Sequence, residues 1–313
     1  MDYKKAFDLV NRSALWSKLI SNGINGKVMN VIYNLYHNAK SCVRVNNNTS
    51  SLFNCNVGVR QGENLSPLLF ALFLNDLEST LRNDNVRGLD FVNDLIMKNL
   101  SNDDIEMWLR LYILLYADDT IILAESSDDL QLALNSLYSY CSTWDLSVNT
   151  SKTKIVIFSR GKVRNKPNFY FGNDIIDICD DYTYLGVTFN YNGNFKKAIN
   201  KQVCQARQAM FALLAKAKKL HLPIDVICDL FDKIVLPILL YGCEIWGLDN
   251  ITHVEIFYRK FLKRMLKLSK STPNCMVYGE TGRYELEHSI YVRMANFWCR
   301  IISGNQNKFS FII

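Results

Sequence analysis

The stretch Leu111-Tyr112-Ile113-Leu114-Leu115-Tyr116-Ala117-Asp118-Asp119-Thr120-Ile121-Ile122-Leu123-Ala124 decides how the chain is interpreted. Two apolar runs, 111–115 and 120–124, flank Asp118 and Asp119, which predicts a β-hairpin with two carboxylates at its tip. Adjacent carboxylates are costly because like charges repel each other and lose hydration. A divalent cation removes that cost, and Mg²⁺ prefers a few carboxylate oxygens together with substrate phosphates and water. The alternative is an exposed Asp-Asp turn that binds nothing.

A metal site of this kind needs a further carboxylate from another strand. The segment Asp2-Tyr3-Lys4-Lys5-Ala6-Phe7-Asp8 offers two candidates, Asp2 and Asp8. Two metal ions about 4 Å apart could activate a 3′-hydroxyl and stabilise a leaving pyrophosphate. We expect Asp8 to be a cap or ion-pair partner of the helix that begins near Asn11, and not a metal ligand.

The remaining sequence predicts mixed β/α structure followed by helices alone. Helices are expected after Asn11 or Ser13 as far as Gly23, over 28–35, from Pro67 to about Leu81, and from Ser126 or Ser127 to Trp144. A hairpin is expected over 42–57 with 46–51 as its turn, and strands over 154–158 and 182–189. From about Phe195 the pattern is helical, with breaks near Pro223, 242–247 and 273–282.

Composition limits the class of protein. The chain has 313 residues, 49% hydrophobic and 21% charged, with a formal net charge of +6, which fits a globular protein with a sizeable core. Residues 1–195 hold 18 Lys+Arg and 21 Asp+Glu, whereas residues 196–270 hold 14 and 6. The acidic first part suits a carboxylate metal site and the basic second part suits phosphate binding, although solvated helix faces would explain the latter equally well.

Cysteines and apolar runs bear on localisation. The nine cysteines form no CxxC pair, and we interpret them as reduced intracellular thiols that lie mostly in the core. The longest apolar runs, near 111–124 and 234–248, are interrupted by polar residues, Pro or Gly and are too short to span a bilayer. We therefore expect an intracellular protein, in nucleus or cytoplasm, with no membrane contact.

Five motifs in order then identify a family. They are DYKKAFD at 2–8, GVRQGENLSPLLF at 58–70, YADD at 116–119, LSVNTSKTKIVIF at 146–158 and YLGV at 184–187. This series resembles motifs A to E of reverse transcriptases, and KAFD, GVRQG and YADDT resemble those of LINE-type (non-LTR) retrotransposons, jockey-like or related. The later LYGCEIWG at 240–247 resembles the thumb region of the same elements, so the resemblance covers nearly the whole chain.

The resemblance implies a role for individual residues. Asp2, Asp118 and Asp119 match the catalytic, metal-binding aspartates, with Asp119 more an orienting group than a steady ligand. Phe7 matches the aromatic residue beneath the sugar that excludes a ribose 2′-hydroxyl, although it could equally be a core residue, and both could hold. The other implied substrate contacts are Arg60, Gln61, Gly62 and Lys152.

Gln61 and Gly62 match the loop that lines the nucleotide and the template strand. Lys152 matches a lysine that protonates pyrophosphate, and Arg60 could touch a phosphate or base. For both Lys152 and Arg60, a solvated surface side chain without a role in the site is an equally open alternative. Tyr184, Leu185 and Gly186 match the primer-grip turn.

The implied architecture is an α+β reverse-transcriptase palm followed by an all-helical thumb and tail. We expect the palm at 1–195, the thumb at 196–270 and a helical tail at 271–313. In the thumb, the apolar residues Val203, Met210, Leu213 and Leu214 should face the palm, leaving the lysines and arginines of the same helix for a duplex backbone. The implied cofactor is two Mg²⁺ ions, or Mn²⁺ in their place, and the implied partners are an RNA template, a DNA primer and a dNTP; the sequence does not indicate an oligomeric state.

The sequence also departs from the family pattern. From the resemblance we expect this chain to lack the strand that leads into Asp2 and the fingers subdomain, and Glu63-Asn64 stands where many relatives have a small or apolar pair. We expect Asp2 to lie on a frayed terminus and the isolated chain to be inactive. Two interpretations therefore stay open: an RNA-directed DNA polymerase, and a catalytically dead nucleic-acid-binding remnant of such an element. A telomerase-like or maturase-like enzyme is a weaker third, because GVRQGENLSPLLF and LYGCEIWG favour LINEs.

Overall fold

The computed structural model describes residues 1–90, 110–111, 113–116, 119–161, 163 and 165–303. The chain divides into two compact units, Met1–Ile155 with Arg164–Ile178, and Val156–Val163 with Cys179–Ile313. Both helices and small sheets are present, so the predicted α+β class is confirmed. The palm, thumb and tail boundaries at residues 195 and 270 stay a prediction.

Five helices are described in the first unit: α1 Arg12–Ser21, α2 Gly26–His37, α3 Leu65–Phe73, α4 Leu77–Asn83 and α5 Ser127–Thr143. The predicted caps are confirmed, because the side chains of Asn11 and Ser126 accept hydrogen bonds from the first turns of α1 and α5. The single helix predicted from Pro67 to about Leu81 is wrong. Helix α3 begins two residues earlier, and the chain turns at 74–76 before α4 starts.

The strands of this unit are β1 Lys40–Ser41, β2 Arg44–Val45, β3 Asn48–Thr49, β4 Phe53–Asn54, β5 Leu89–Asp90, β6 Arg110–Leu111, β7 Ile113–Tyr116, β8 Asp119–Ile122, β9 Lys154–Ile155, β10 Phe169–Phe171 and β11 Asp174–Ile178. The hairpin at the acidic pair is confirmed, since Tyr116 pairs with Asp119. The earlier hairpin has a shorter turn than predicted: Asn48 pairs with Val45 and belongs to a strand, which leaves a two-residue turn.

A buried lysine joins the helices of the first unit, and the sequence pattern did not predict it. Lys18 of α1 donates hydrogen bonds to the carbonyl of Phe73 at 2.7 Å and to the carboxylate of Asp76 at 2.6 Å. Its ammonium group also lies 3.9 Å from the centre of the Trp144 ring. The polar and aromatic partners offset the cost of burying this charge.

The second unit contains one hairpin, β12 Asp181–Tyr184 with β13 Val187–Asn190, followed by helices. The helical elements are α6 Lys196–Lys219, α7 Ile224–Leu230, a π-helical turn Phe231–Val235, α8 Leu236–Leu239, α9 Cys243–Trp246, α10 Thr252–Met265, α11 Asn274–Thr281 and α12 Leu286–Ile302. The predicted change to helices near residue 195 is confirmed. Two of the predicted breaks, 242–247 and 273–282, are wrong in part, because α9 and α11 lie within them.

The apolar side of α6 is buried within its own unit. Val203, Met210 and Leu213 belong to one cluster with residues of the π-helical turn and α10, among them Phe231 and Phe261. The expectation that these residues face the palm is therefore wrong: α10 and the π-helical turn supply the apolar surface that α6 needs.

The cysteines are less buried than predicted. None of the nine cysteines forms a disulfide, but only Cys141 and Cys243 are buried, whereas four are exposed. The expectation that they lie mostly in the core is wrong, because it used the residue type and not the local helical pattern. Among the described residues, no helix is both long and apolar enough to cross a membrane.

Candidate active site

The first four residues of the chain run between two other segments of the first unit. On one side, Met1 and Thr120 exchange backbone hydrogen bonds. On the other side, the amide of Asn149 donates to the carbonyl of Asp2, and the amide of Lys4 donates to the carbonyl of Ser147, each at 2.7 Å. The expected frayed terminus is therefore wrong, because backbone pairing holds Asp2 from both sides.

This pairing puts two carboxylates on one face. Since Met1 and Thr120 exchange both hydrogen bonds, they form an antiparallel pair, and Asp2 and Asp119 are the next opposed residues. Strand side chains alternate between faces, and the burial agrees: Tyr3 and Thr120 are 4% and 1% exposed in the core, whereas Asp2 and Asp119 are half-buried. Asp118, the remaining predicted aspartate, lies outside the described residues.

Positive charges already lie close to these carboxylates. Burial lowers the pKa of the Met1 ammonium group, and the charges of Asp119 and Asp2 oppose that lowering. The ammonium of Lys152 lies 3.8 Å from the Asp2 carboxylate. No cluster of three acidic, His or Cys side chains occurs among the described residues. The opposed pair Asp2 and Asp119 nevertheless supplies the oxygen donors that a hard divalent cation needs, so the residues present fit such an ion.

A cleft of about 580 Å³ opens beside the segment Met1–Lys4. It is lined by Asp2, Tyr3, Lys4, Lys5, Ala6, Phe7, Leu9, Gln61, Asn149 and Lys152. Four of the predicted site residues, Asp2, Phe7, Gln61 and Lys152, are thus brought together from segments far apart in the sequence. Arg60 and Gly62 do not line this cleft.

Phe7 has one side in the core and one side on the cleft. Its ring is half-buried and packs at 5.2 Å between centroids against Phe70, which is fully buried on α3. Both roles considered for Phe7 therefore fit its position, because the contact with Phe70 fixes a ring that also lines the cleft.

The loop that carries Gln61 is held against the turn after Asp2. The amide of Val59 donates to the carbonyl of Phe7 at 2.7 Å, and the amide of Gly58 donates to the carbonyl of Val10 at 2.9 Å. Gly58 has φ +81°, and a Cβ there would lie 2.5 Å from the Asp8 carbonyl oxygen. Only glycine permits both this conformation and this close approach.

The guanidinium of Arg12 holds the same loop through hydrogen bonds to backbone carbonyls. Arg12 donates to the carbonyls of Cys55 at 2.6 Å, Gly58 at 2.8 Å, Tyr36 at 2.9 Å and Val57 at 3.3 Å. Sequence reasoning missed this residue. Arg12 lies ten residues after Asp2, and this position was the one signal in the sequence that could have indicated its role. Its partners are backbone carbonyls, which no pattern of side chains reveals.

Arg60 is turned away from the cleft and forms contacts of its own. Its guanidinium donates to Glu63 at 2.8 Å and to the carbonyl of Leu35 at 2.9 Å. The hydrogen bond to Glu63 raises the pKa of Arg60. This pair accounts for Glu63, which departs from the family pattern, because the charge of one side chain offsets that of the other. Gly62 has φ +85° with open space around it, so its backbone can be approached closely.

The predicted primer-grip residues lie in the second unit. Leu185 and Gly186, with φ of +45° and +82°, form the two-residue turn between Tyr184 and Val187. This is the conformation of a tight hairpin turn. The hydroxyl of Tyr241 donates to the carbonyl of Leu185 at 2.8 Å and fixes the turn within this unit.

Comparisons with known proteins show the family of the chain. The family model described as reverse transcriptase (RNA-dependent DNA polymerase) matches residues 1–189. The chain is 25% identical over 277 residues to the RNA-directed DNA polymerase from mobile element jockey of Drosophila funebris, covering 85% of this chain and 28% of that protein. It is 25% identical over 305 residues to the Pol polyprotein from the type-1 retrotransposable element R2 of Popillia japonica, covering 93% of this chain and 40% of that protein.

The protein described as probable RNA-directed DNA polymerase from transposon X-element of Drosophila melanogaster is 23% identical over 264 residues, which cover 82% of this chain and 26% of that protein. The chain thus spans well under half the length of each of these three relatives. The matched family model covers more than half of the chain, and its range includes Asp2, Gln61, Asp118 and Asp119. The chain belongs to the reverse transcriptase family, in its LINE-type, non-LTR retrotransposon branch.

Proposed function

We propose that this chain carries the polymerase site of an RNA-directed DNA polymerase that extends a DNA primer on an RNA template. The observation that supports it most is the opposition of Asp2 and Asp119 across the Met1–Thr120 pair. Together with Asp118, which precedes Asp119 in the sequence, these residues would provide three carboxylates to hold a pair of Mg²⁺ ions. When bound, these ions would activate the primer 3′-hydroxyl and stabilise the leaving pyrophosphate.

The residues of the cleft are suited to contact both the triphosphate and the sugar of a deoxynucleotide. The primer 3′-hydroxyl loses its proton to water and its oxygen forms a bond to the α-phosphorus, while the bond between the α-phosphorus and the α–β bridging oxygen breaks and pyrophosphate leaves. The Lys152 ammonium, 3.8 Å from Asp2, can donate a proton to that leaving group. The Phe7 ring, fixed by Phe70, is suited to lie under the sugar and exclude a 2′-hydroxyl. Gln61 would contact the nucleotide.

A basic face on the second unit is suited to bind the duplex. Helices α6 and α10 run side by side, since His253 bonds Asn200 at 2.8 Å and the Arg264 guanidinium lies 5.5 Å from the Phe211 ring. Among their exposed basic residues, we define the basic face as Lys196, Arg207, Lys218, Lys260 and Arg264. Such a surface would bind phosphates without reading sequence. Subdomain boundaries at 195 and 270, the thumb assignment and the primer grip at Tyr184, Leu185 and Gly186 are part of the proposal.

Primer extension tests the function. The chain would be assayed alone and joined behind the N-terminal portion of the jockey polymerase, with a poly(rA) template, an oligo(dT) primer and dTTP. We expect Mg²⁺-dependent synthesis by the joined form, abolished by Asp2→Ala or Asp118→Ala. Asp128→Ala, which removes an exposed aspartate of α5 outside the cleft, should leave synthesis unchanged.

The same assay separates the second interpretation, a nucleic-acid-binding remnant, which the basic face also supports. Binding of the primer–template without synthesis in either form would favour the remnant. Synthesis that survives Asp118→Ala would contradict the proposed active site.

A further inference from the structure

Asp8 contacts a residue that lines the cleft, although the sequence predicted no role for Asp8 at the active site. Asp8 was expected to cap a helix or to form an ion pair, but Asn11 caps α1. The Asp8 carboxylate instead accepts a hydrogen bond from the Gln61 side-chain amide at 2.9 Å. Gln61 lines the cleft and Asp8 does not, so Asp8 can reach a substrate only through Gln61.

We propose that Asp8 is a positioning residue that sets the orientation of the Gln61 amide, so that the Gln61 carbonyl oxygen receives the 3′-hydroxyl of the incoming deoxynucleotide. This inference rests on the proposed polymerase function of the cleft.

The chemistry of the two groups fixes the orientation. A carboxamide has an NH₂ group that only donates and an oxygen that only accepts, whereas an ionised carboxylate only accepts. Asp8 can therefore face the NH₂ group and not the oxygen of Gln61. A hydrogen bond to a charged acceptor is about twice as strong as a neutral one, so the flipped amide is disfavoured. The Gln61 oxygen is left as an acceptor on the side away from Asp8.

Backbone hydrogen bonds hold Asp8 and the loop that carries Gln61, so that the side-chain contact controls orientation and not folding. The amide of Asp8 donates to the carbonyl of Lys5 at 2.9 Å. The Gln61 loop is tied to the same turn through Val59 and Phe7 at 2.7 Å. Loss of the Asp8 carboxylate would leave these bonds in place and free only the amide.

The acceptor suits one group of a deoxynucleotide. A sugar hydroxyl donates to a carbonyl oxygen, and Phe7, on the same cleft, is proposed to exclude the 2′-hydroxyl. The sugar of a deoxynucleotide then offers its 3′-hydroxyl alone, which a 2′,3′-dideoxynucleotide lacks. The Gln61 oxygen should therefore favour dTTP over ddTTP, and this preference should depend on Asp8.

The test is equilibrium binding of dTTP and ddTTP to the full chain with Mg²⁺ and a dideoxy-terminated oligo(dT) primer on poly(rA). In Asp8→Ala we expect the ratio of the two affinities to fall by about fivefold, the value of one hydrogen bond of about 1 kcal/mol, and Asp8→Glu to restore part of it. Removal of a negative charge near the triphosphate affects the affinities for dTTP and ddTTP equally, so this general effect cancels in their ratio. Asp145→Asn is the matched control, because the exposed Asp145 accepts from the Asn11 amide at the same 2.9 Å.

Each outcome has one meaning. If Gln61→Ala loses the preference and Asp8→Ala keeps it in full, the inference about Asp8 is wrong while the proposed function stands. If the wild-type chain shows no preference for dTTP, or Gln61→Ala leaves it unchanged, the role of Gln61 in the proposed function is wrong and the inference fails with it. A fall of the ratio in Asp8→Ala but not in Asp145→Asn supports the proposal.

Discussion

Replacing Arg12 with lysine should loosen the loop that carries Gln61 and destabilise the first unit. The guanidinium donates to four backbone carbonyls, those of Tyr36, Cys55, Val57 and Gly58. A lysine ammonium is a compact point charge without the planar fork of arginine, and it can reach one or two of these oxygens. Arg12→Lys therefore leaves at least two carbonyls without their donor.

The size of the effect follows from those contacts. A hydrogen bond that involves a charged group contributes about 1.5–3 kcal/mol. Two lost bonds would cost about 3 kcal/mol, reduced to about 2 kcal/mol because Arg12 is only half-buried and the bond to Val57 is exposed to water. For a unit of this size, about 2 kcal/mol corresponds to a fall in Tm of about 4–8 °C.

Thermal unfolding followed by near-ultraviolet circular dichroism measures this change, and amide hydrogen exchange localises it. Exchange should accelerate at the amides of Gly58 and Val59, which donate to Val10 and Phe7, and much less in α5. Arg82→Lys is the control: Arg82 is 67% exposed and pairs with Glu78 on the surface of α4, so its replacement should cost under about 0.5 kcal/mol. Equal Tm values for the two variants, with unchanged exchange at Gly58, would refute the reasoning.

Two further predictions concern charge. Burial lowers the pKa of Lys18 despite its bond to Asp76. At pH values between the folded-state and the unfolded-state pKa of Lys18, the unfolded chain therefore binds more protons than the folded chain. The free energy of unfolding should then rise with pH through that alkaline window. Urea unfolding should show that Lys18→Met is about 2 kcal/mol less stable than the wild type at neutral pH. This difference should grow as the pH rises through that window, and a difference that stays constant would contradict the prediction. On the basic face, the double variant Lys218→Ala/Arg264→Ala should reduce the slope of log affinity against log salt by about 2, measured by fluorescence anisotropy with a labelled primer–template. Lys233→Ala, an exposed lysine of the π-helical turn, should change it by less than half as much, and equal slopes would contradict the assignment.

Local patterns in the sequence predicted most elements of the fold. Asn11 and Ser126 were recognisable as caps, and the apolar runs beside Asp118 and Asp119 specified the hairpin. The missed features depend on contacts between distant segments. The pairing of Asn48 with Val45 and the break between α3 and α4 follow from packing that no single segment determines.

The candidate site was predictable in its residues more than in its arrangement. The motifs named Asp2, Phe7, Gln61 and Lys152, and the structure brings these four to one cleft. The backbone pairing of Met1, Asp2 and Lys4 was not foreseen, because their partners lie more than a hundred residues away. Arg12 was missed for a related reason: it binds backbone oxygens, which every residue has.

Metal binding tests the central claim, that Asp2, Asp118 and Asp119 form one cation site. The measurement is electron paramagnetic resonance of Mn²⁺ titrated into the full chain with dTTP and a dideoxy-terminated primer on poly(rA). We expect nucleotide-dependent binding by the wild-type chain, weakened at least about tenfold by Asp2→Asn or Asp118→Asn because each removes a carboxylate from the ion. Asp128→Asn should bind as the wild type does. Undiminished Mn²⁺ binding in both Asp2→Asn and Asp118→Asn would contradict the account.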